Sequence, residues 1–280
     1  MKVSIIVLIS LCLFSASAWP QTTPAQSPGD DFVSEWFQRS ALAEAEQPHW
    51  MAPLFTVTPR LVQQVRYDIG WQSNAGLTTT NYGGGRGLEL IPGEKAEILV
   101  SLPPYIAHSS PAMHDGFGDM AFLFKYRAVA GNEKRGNYIV TALFGATVPT
   151  GSYSNGAAHA LLTPSLGLGK GWGNFDVQST IGVTFPAGDI DRIGTPLAWN
   201  TTLQYRILKK LWPELEVNSN FWANGNNAGK KQVFLSPGLM VGRIHLWKRV
   251  GFAVGGGVQI AATRFHNYDR NWITSIRFPF

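Results

Sequence analysis

A lone cysteine, Cys12, is the only thiol in 280 residues, so no disulfide within the chain can staple the fold. Charge is also scarce, with Asp, Glu, Lys and Arg at 15% of the chain against the roughly 25% usual for soluble domains. What charge there is nearly balances, at a formal +5 that falls to +4 once Lys2 is removed. That is too mild to point to nucleic acid. Beyond residue 18 no apolar run reaches the ~18–20 residues of a spanning helix. Against these absences stand 30 glycines and an aromatic content of 12%. Such a composition suits an outer surface that does not meet water, and without a spanning helix the remaining way across a bilayer is a closed β-barrel.

The first residues, MKVSIIVLISLCLFSASAW, combine a basic Lys2, an apolar stretch from Val3 to Phe14 and the small residues Ala16-Ser17-Ala18. This is the three-part pattern of a secretory signal peptide over residues 1–18. Cys12 falls inside it behind Leu11 rather than a small residue, which argues against lipoprotein processing. Residues 19–57 read as a linker, PQTTPAQSPGDD, followed by a short helix in which Phe32, Trp36, Phe37 and Ala41 share a face and Asp30 or Asp31 supplies the N-cap. A disordered leader is the alternative for this stretch.

From residue 58 to 280 the period is two. In GDMAFLFKYRAV, Met120, Phe122, Phe124 and Tyr126 alternate with Asp119, Lys125 and Arg127. NFDVQSTIGVTF and PLAWNTTLQYRI repeat the split. Soluble sandwiches alternate too, but their strands cluster near five or six residues, whereas these run to about ten, the length a tilted strand needs to cross a membrane. Aromatics near the segment ends, among them Tyr138, Phe185, Trp199, Phe221, Trp247 and Trp272, fit interfacial girdles.

The pattern predicts an all-β, transmembrane, antiparallel up-and-down barrel of about twelve strands. They fall at 58–70, 86–92, 95–103, 118–128, 137–148, 160–170, 173–185, 197–208, 211–222, 231–244, 247–260 and 270–280. Short turns near 92–94, 129–136, 171–173, 209–210 and 245–247 alternate with longer connections at 71–85, 104–117, 149–159, 186–196, 223–230 and 261–269. That parity places both termini in the periplasm of a bacterial outer-membrane protein. The pair 86–92 and 95–103 is short and interrupted by Pro92; without it ten strands would remain. The chain ends on NWITSIRFPF, an alternating strand closed by Phe280, which must pair with the first strand because an unpaired edge in lipid is costly.

Candidate chemistry is sparse. Twelve-stranded outer-membrane phospholipases carry a Ser/His pair, yet RFHNYDRNW offers His266 with no serine nearby, and His108, His114, His159 and His266 all fall in outer connections. His108 and His114 do not make a metal pattern. The runs GGGRG at 83–87 and GGG at 255–257 lack the strand-to-helix context of a phosphate loop and read as loop and wall-packing glycines. We therefore expect neither a catalytic residue, a cofactor nor a metal. The inward face carries Arg66, Asp119, Lys125, Arg127, Asp176, Arg206, Glu214, Glu216 and Arg277 as lumen-lining candidates, together with Asp68 and Glu97. Leu99, Leu123, Ile139, Leu143, Phe234, Met240 and Ile273 share that face. Mixed charge with apolar residues suits either a filled interior or a path for small apolar or aromatic molecules.

Gly116-Phe117-Gly118-Asp119, opening a strand that reaches Lys125-Tyr126, and the following Val148-Pro149-Thr150-Gly151 resemble a family of outer-membrane proteins. It is the family grouped under the MetA pathway of phenol degradation and described as transporters. Phe185-Pro186-Ala187-Gly188 is similar to a second copy of the Pro-Thr-Gly element. The likeness covers residues 60–280 in general plan and 116–151 in motif. It implies a β-barrel that takes up aromatic or hydrophobic compounds, and the terminal Phe280 resembles the signal recognised by the barrel-insertion machinery. The expected partners are thus outer-membrane lipid, that machinery and small solutes. The leading expectation is a passive outer-membrane channel, with a lipid-modifying hydrolase and a structural barrel with a filled lumen as alternatives.

Overall fold

The computed structural model describes residues 28–84 and 86–280. The signal peptide read at 1–18 lies outside those residues. The described chain opens with helix α1, Pro28–Ala45, headed by a proline whose missing N–H costs nothing in a first helical turn. Sixteen strand segments follow: β1 Gln64–Asn74, β2 Leu77–Tyr82, β3 Gly87–Gly93, β4 Ala96–Ser101, β5 Tyr105–His108, β6 Gly116–Phe117, β7 Met120–Gly131 and β8 Tyr138–Val148. The second half of the wall holds β9 Leu161–Trp172, β10 Phe175–Val183, β11 Phe185–Pro186, β12 Pro196–Tyr205, β13 Leu211–Trp222, β14 Lys231–Trp247, β15 Val250–Ala261 and β16 Arg270–Pro279. A single helical turn, α2 at Ile190–Ile193, precedes β12.

All pairings are antiparallel, and β16 returns to β1 in register from Gln64 opposite Pro279 to Ser73 opposite Arg270. The barrel is closed. Phe280 N–H then donates to the Gln63 carbonyl at 3.1 Å, which carries the seam to the last residue. Alternation is visible in burial: along β10, Asp176, Gln178 and Thr180 are buried while Phe175 and Ile181 are exposed. The outer face keeps large rings and aliphatics exposed, including Trp172, Trp199, Trp247 and Trp272 near strand ends.

Sixteen segments make twelve barrel strands because four strands are interrupted, one of them simply at Thr184 between β10 and β11, which both pair with β9. β2 and β3 lie on the same side of β1, β2 against Ile69–Asn74 and β3 against Gln64 and Val65. β4 and β5 pair with β3 and β2 in turn, and β6 and β7 pair with β5 and β4. Three of the breaks, after Tyr82, at 102–104 and at 118–119, line up across neighbouring strands. Pro103 and Pro104 have no N–H to give a ladder, and the Gly118 amide donates to the Pro104 carbonyl at 2.7 Å instead.

Two expectations are corrected here. The wall begins at Gln64, not residue 58, because residues 46–63 run through the lumen. The stretches 71–85 and 104–117 are not long loops, since they hold the end of β1, β2, β5 and β6. The first connection is a two-residue turn, Ala75 and Gly76, with φ of 48° and 82°, the type I′ geometry that matches the twist of paired strands. Thr78, Thr79 and Thr80 hide β2 from a reading of hydrophobic period, although β-branched side chains favour strands.

That turn makes a prediction. An L residue with a Cβ loses roughly 1 kcal/mol in the left-handed region, which asparagine tolerates better. Ala75→Asn should therefore raise the thermal midpoint of the detergent-solubilised barrel, followed by the heat-induced shift in its gel mobility. Gly76→Val should lower it.

Candidate functional site

Residues 46–63 enter the lumen from the end that carries α1 and the short turns, reach a tip at Val57, and return to the same end to start β1. The two limbs are tied to each other. Gln47 Nε2 donates to the Leu61 carbonyl at 2.6 Å, and the Leu61 amide donates back to Gln47 Oε1 at 2.9 Å. Arg60, almost wholly buried, donates to the carbonyls of Pro48 and Trp50. The segment is a compact loop with its ends together, placed inside a barrel.

An irregular backbone has no ladder of its own, so its buried polar groups need partners from the wall. The inward charges supply them. Glu214 accepts from the Leu54 amide at 3.0 Å, and Glu216 accepts from the amides of Phe55 and Thr56 at 2.8 and 2.6 Å. Glu97 accepts from the Val62 amide at 2.6 Å, while Lys125, bridged to Glu97 at 2.8 Å, donates to the Arg60 carbonyl at 3.1 Å. Arg66 is bridged to Asp68 at 2.8 Å and donates to the Pro53 and Leu54 carbonyls. Arg277 donates to the carbonyls of Ala52 and Pro53. Each of these hydrogen bonds to a charged group contributes about 1.5–3 kcal/mol.

Shape completes the fit. On β9 the inward positions Gly167, Gly169 and Gly171 form a notch, filled by Pro59 at the first and by Trp50 at the other two. Gly238 and Gly257 leave room for Leu54 on the opposite wall. In the glycine run 255–257, Gly257 therefore serves packing against the loop, and Gly255 makes room for Met240 of the same apolar cluster.

The remaining candidates lie elsewhere. Asp176 is buried on β10 and accepts from Gln178 Nε2 at 3.0 Å. Arg127 reaches the turn end, donating to the carbonyls of Ala43 and Glu94. Arg206 sits in the turn after β12, half-buried, over the Trp212 ring and bonded to Asn174. Asp119 fastens the 149–160 connection, accepting from the Gly151 and Ala157 amides at 2.8 and 2.6 Å. Those last two are not part of the group that holds the loop.

Open space remains on both sides of the loop. A cavity of about 260 Å³ lies beyond its tip, against Val57, Leu99, Leu123, Leu143, Thr163 and Thr180. One of about 170 Å³ adjoins Leu54 and Phe55, and another of about 320 Å³ lies at the outer rim by Leu77, His108, Met113 and Tyr268. Towards the turn end a smaller space of about 90 Å³ is bounded by Met51, Arg60, Arg243 and Arg277. The histidines are engaged locally: His108 lies between Thr79 Oγ1 at 3.2 Å and Asn155 Oδ1 at 2.7 Å, and His266 between the Thr263 carbonyl and Asp269. Among the described residues no serine hydroxyl is bonded to a histidine ring and no cluster of metal-ligating side chains occurs.

The family described as "Putative MetA-pathway of phenol degradation" matches residues 70–275. The chain belongs to that family. No curated protein matches it. Among solved structures, this MetA-pathway family barrel is similar to the COG4313 outer membrane channel from Pseudomonas putida F1, with 13% identity, a TM-score of 0.55, and coverage of 82% of this chain and 99% of that one. It is also similar to the NanC porin, at 10% identity and a TM-score of 0.52, over 77% of this chain and 98% of that one. These likenesses carry the fold, that of a bacterial outer-membrane β-barrel.

Three arginines of the family barrel that turn towards the lumen loop escape a reading by alternation. Arg60 lies in TVTPRLV, which reads as the start of a strand. Arg86 lies in a strand break. Arg243 should face lipid by strict alternation along β14, but register slips between Gly242 and Ile244, and its φ of 48° lets it donate to the Trp50 carbonyl at 3.0 Å. The positive φ at an arginine leaves no trace in composition; only the glycine beside it hints at a bulge.

Removing one member of a buried, hydrogen-bonded charge set costs about 3–5 kcal/mol, so Glu216→Ala should loosen the loop. With Cys12 the only native cysteine, a Thr56→Cys probe should be shielded from maleimide in the parent and labelled much faster in the Glu216→Ala background. At the turn end, burial pushes the Glu133 carboxyl up, but the His49 amide and ring outweigh it and hold its pKa below the ordinary 4.5. A lowered carboxylate pKa stabilises above the unfolded value and is lost as pH falls through the folded one. Labelling at a Pro48→Cys probe by a dithiodipyridine, which reacts with thiols in acid, should accordingly rise below about pH 4.5 relative to the same probe in the unfolded chain, and Glu133→Gln should show the raised relative rate already at neutral pH.

Proposed function

We propose that this barrel is a passive outer-membrane channel for small solutes, aromatic or hydrophobic ones among them, with the loop 46–63 as its constriction. The observation that carries the reading is an amphipathic space of about 260 Å³ set against a loop held to the wall chiefly by polar contacts. Leucines on one side of that space accept an apolar body, and threonines on the other accept hydrogen bonds. Polar contacts can be exchanged for contacts with water as the loop shifts. Arg66, Lys125, Asp176, Glu214, Glu216 and Arg277 would then line the path that opens. The strand ending at Phe280 is the segment we assign to recognition by the insertion machinery.

A structural barrel with a filled lumen is the second reading, favoured by the packing of Trp50, Met51 and Leu54 in one apolar cluster. Planar-bilayer recording separates the two. We expect small, flickering conductance from the intact protein and steady, larger steps when 48–60 are replaced by a short Gly-Ser link. Liposome swelling with sugars, amino acids and phenolics, corrected for protein-free vesicles, should rank the solutes. Silence of both proteins in the bilayer, with their folding verified by gel mobility, would favour the filled barrel.

A further inference from the structure

The interior arginines differ in how fully they are used. Arg66 holds Asp68 and two loop carbonyls, Arg277 holds two carbonyls and Ser275, Arg60 holds two carbonyls, and Arg127 holds two. Arg86 makes one hydrogen bond, from Nη2 to the Phe55 carbonyl at 3.1 Å. A guanidinium has five donors in a planar fork, so most of its capacity is unspent. The side chain is half-buried and borders both the 260 Å³ and the 170 Å³ cavities.

The carboxylates on the neighbouring wall are already committed. Asp68 is held by Arg66, Glu89 accepts from Gln64, and Glu216 takes the Phe55 and Thr56 amides and the Thr202 hydroxyl. Among the described residues none forms an ion pair with Arg86. Among the described residues Arg86 is the one charged side chain of the larger cavity, facing apolar side chains, glycines, hydroxyl residues and the Asn200 amide. Beyond the loop, the 90 Å³ space is bordered by Arg60, Arg243 and Arg277 against the single acid Glu44.

We propose that the cavity beyond the loop tip is a binding site for a small monoanion with an apolar body, an aromatic or branched carboxylate, held by Arg86. A carboxylate matches the guanidinium fork in a bidentate pair. An apolar cavity of about 150 Å³ holds a benzene ring, so 260 Å³ accommodates the ring with its carboxylate. An organic cation finds no free acid there, and a neutral analogue leaves the guanidinium unneutralised. The arginines on the far side of the loop offer the anion its next contacts. The inference deepens the channel reading and rests on it for the anion's route.

The test uses the intact protein in detergent and calorimetric titration with benzoate, benzamide and benzylammonium, which share a ring and differ in charge. Benzoate should bind at least tenfold more tightly than benzamide, and benzylammonium should not bind. Arg86→Gln should bring benzoate down to the level of benzamide, and Arg86→Lys should keep part of the preference. Because Arg86 also touches the loop, a second variant, Thr147→Phe, fills the cavity from the opposite wall and should abolish benzoate binding with Arg86 in place. Equal affinity for benzoate and benzamide in the parent, or a benzoate preference that survives Arg86→Gln or Thr147→Phe, overturns the site. Conductance is read separately: a barrel that conducts without binding benzoate refutes the site alone, and one that binds benzoate yet never conducts refutes the channel.

Discussion

A buried segment without regular secondary structure must have its backbone amides and carbonyls satisfied by something else, and the interior of this barrel is built around that need. Glu97, Glu214 and Glu216 accept from amides of the loop, while Arg66, Lys125 and Arg277 donate to its carbonyls. The signs are sorted by what each stretch of loop backbone presents. Isolated in the lumen these charges would be costly; with the loop seated they become its scaffold. The wall's charges and the loop's irregularity therefore explain one another.

The same logic accounts for how much could be read from the amino-acid string. Strands whose outer face is Phe, Leu, Trp or Tyr, such as β7, β10 and β12, announce themselves because lipid on one side and polar interior on the other impose a period of two. The position of Glu214 and Glu216, two apart on β13, follows directly from that period. The closing pairing of β1 with β16 follows from the cost of an open edge in lipid.

What stayed hidden did so for local reasons. Residues 58–63, TPRLVQ, continue without a break into β1, and no periodicity marks where wall begins and lumen segment ends. β2 is a run of threonines, strand-forming but not hydrophobic. Arg243 is turned inward by a backbone bulge that strict alternation cannot anticipate. Arg86 occupies a gap in the wall where neither strand face is defined. Asp119 and Arg206 have the right parity for the lumen, yet one is spent on an outer connection and the other on a turn, because parity gives the face and not the depth.

The loop's two limbs leave by the same mouth and are clasped by Gln47 and Leu61. No free end of the loop has to be threaded through a finished ring, so β16 can zip onto β1 before the loop seats, and closure of the wall and filling of its interior are separable steps of assembly.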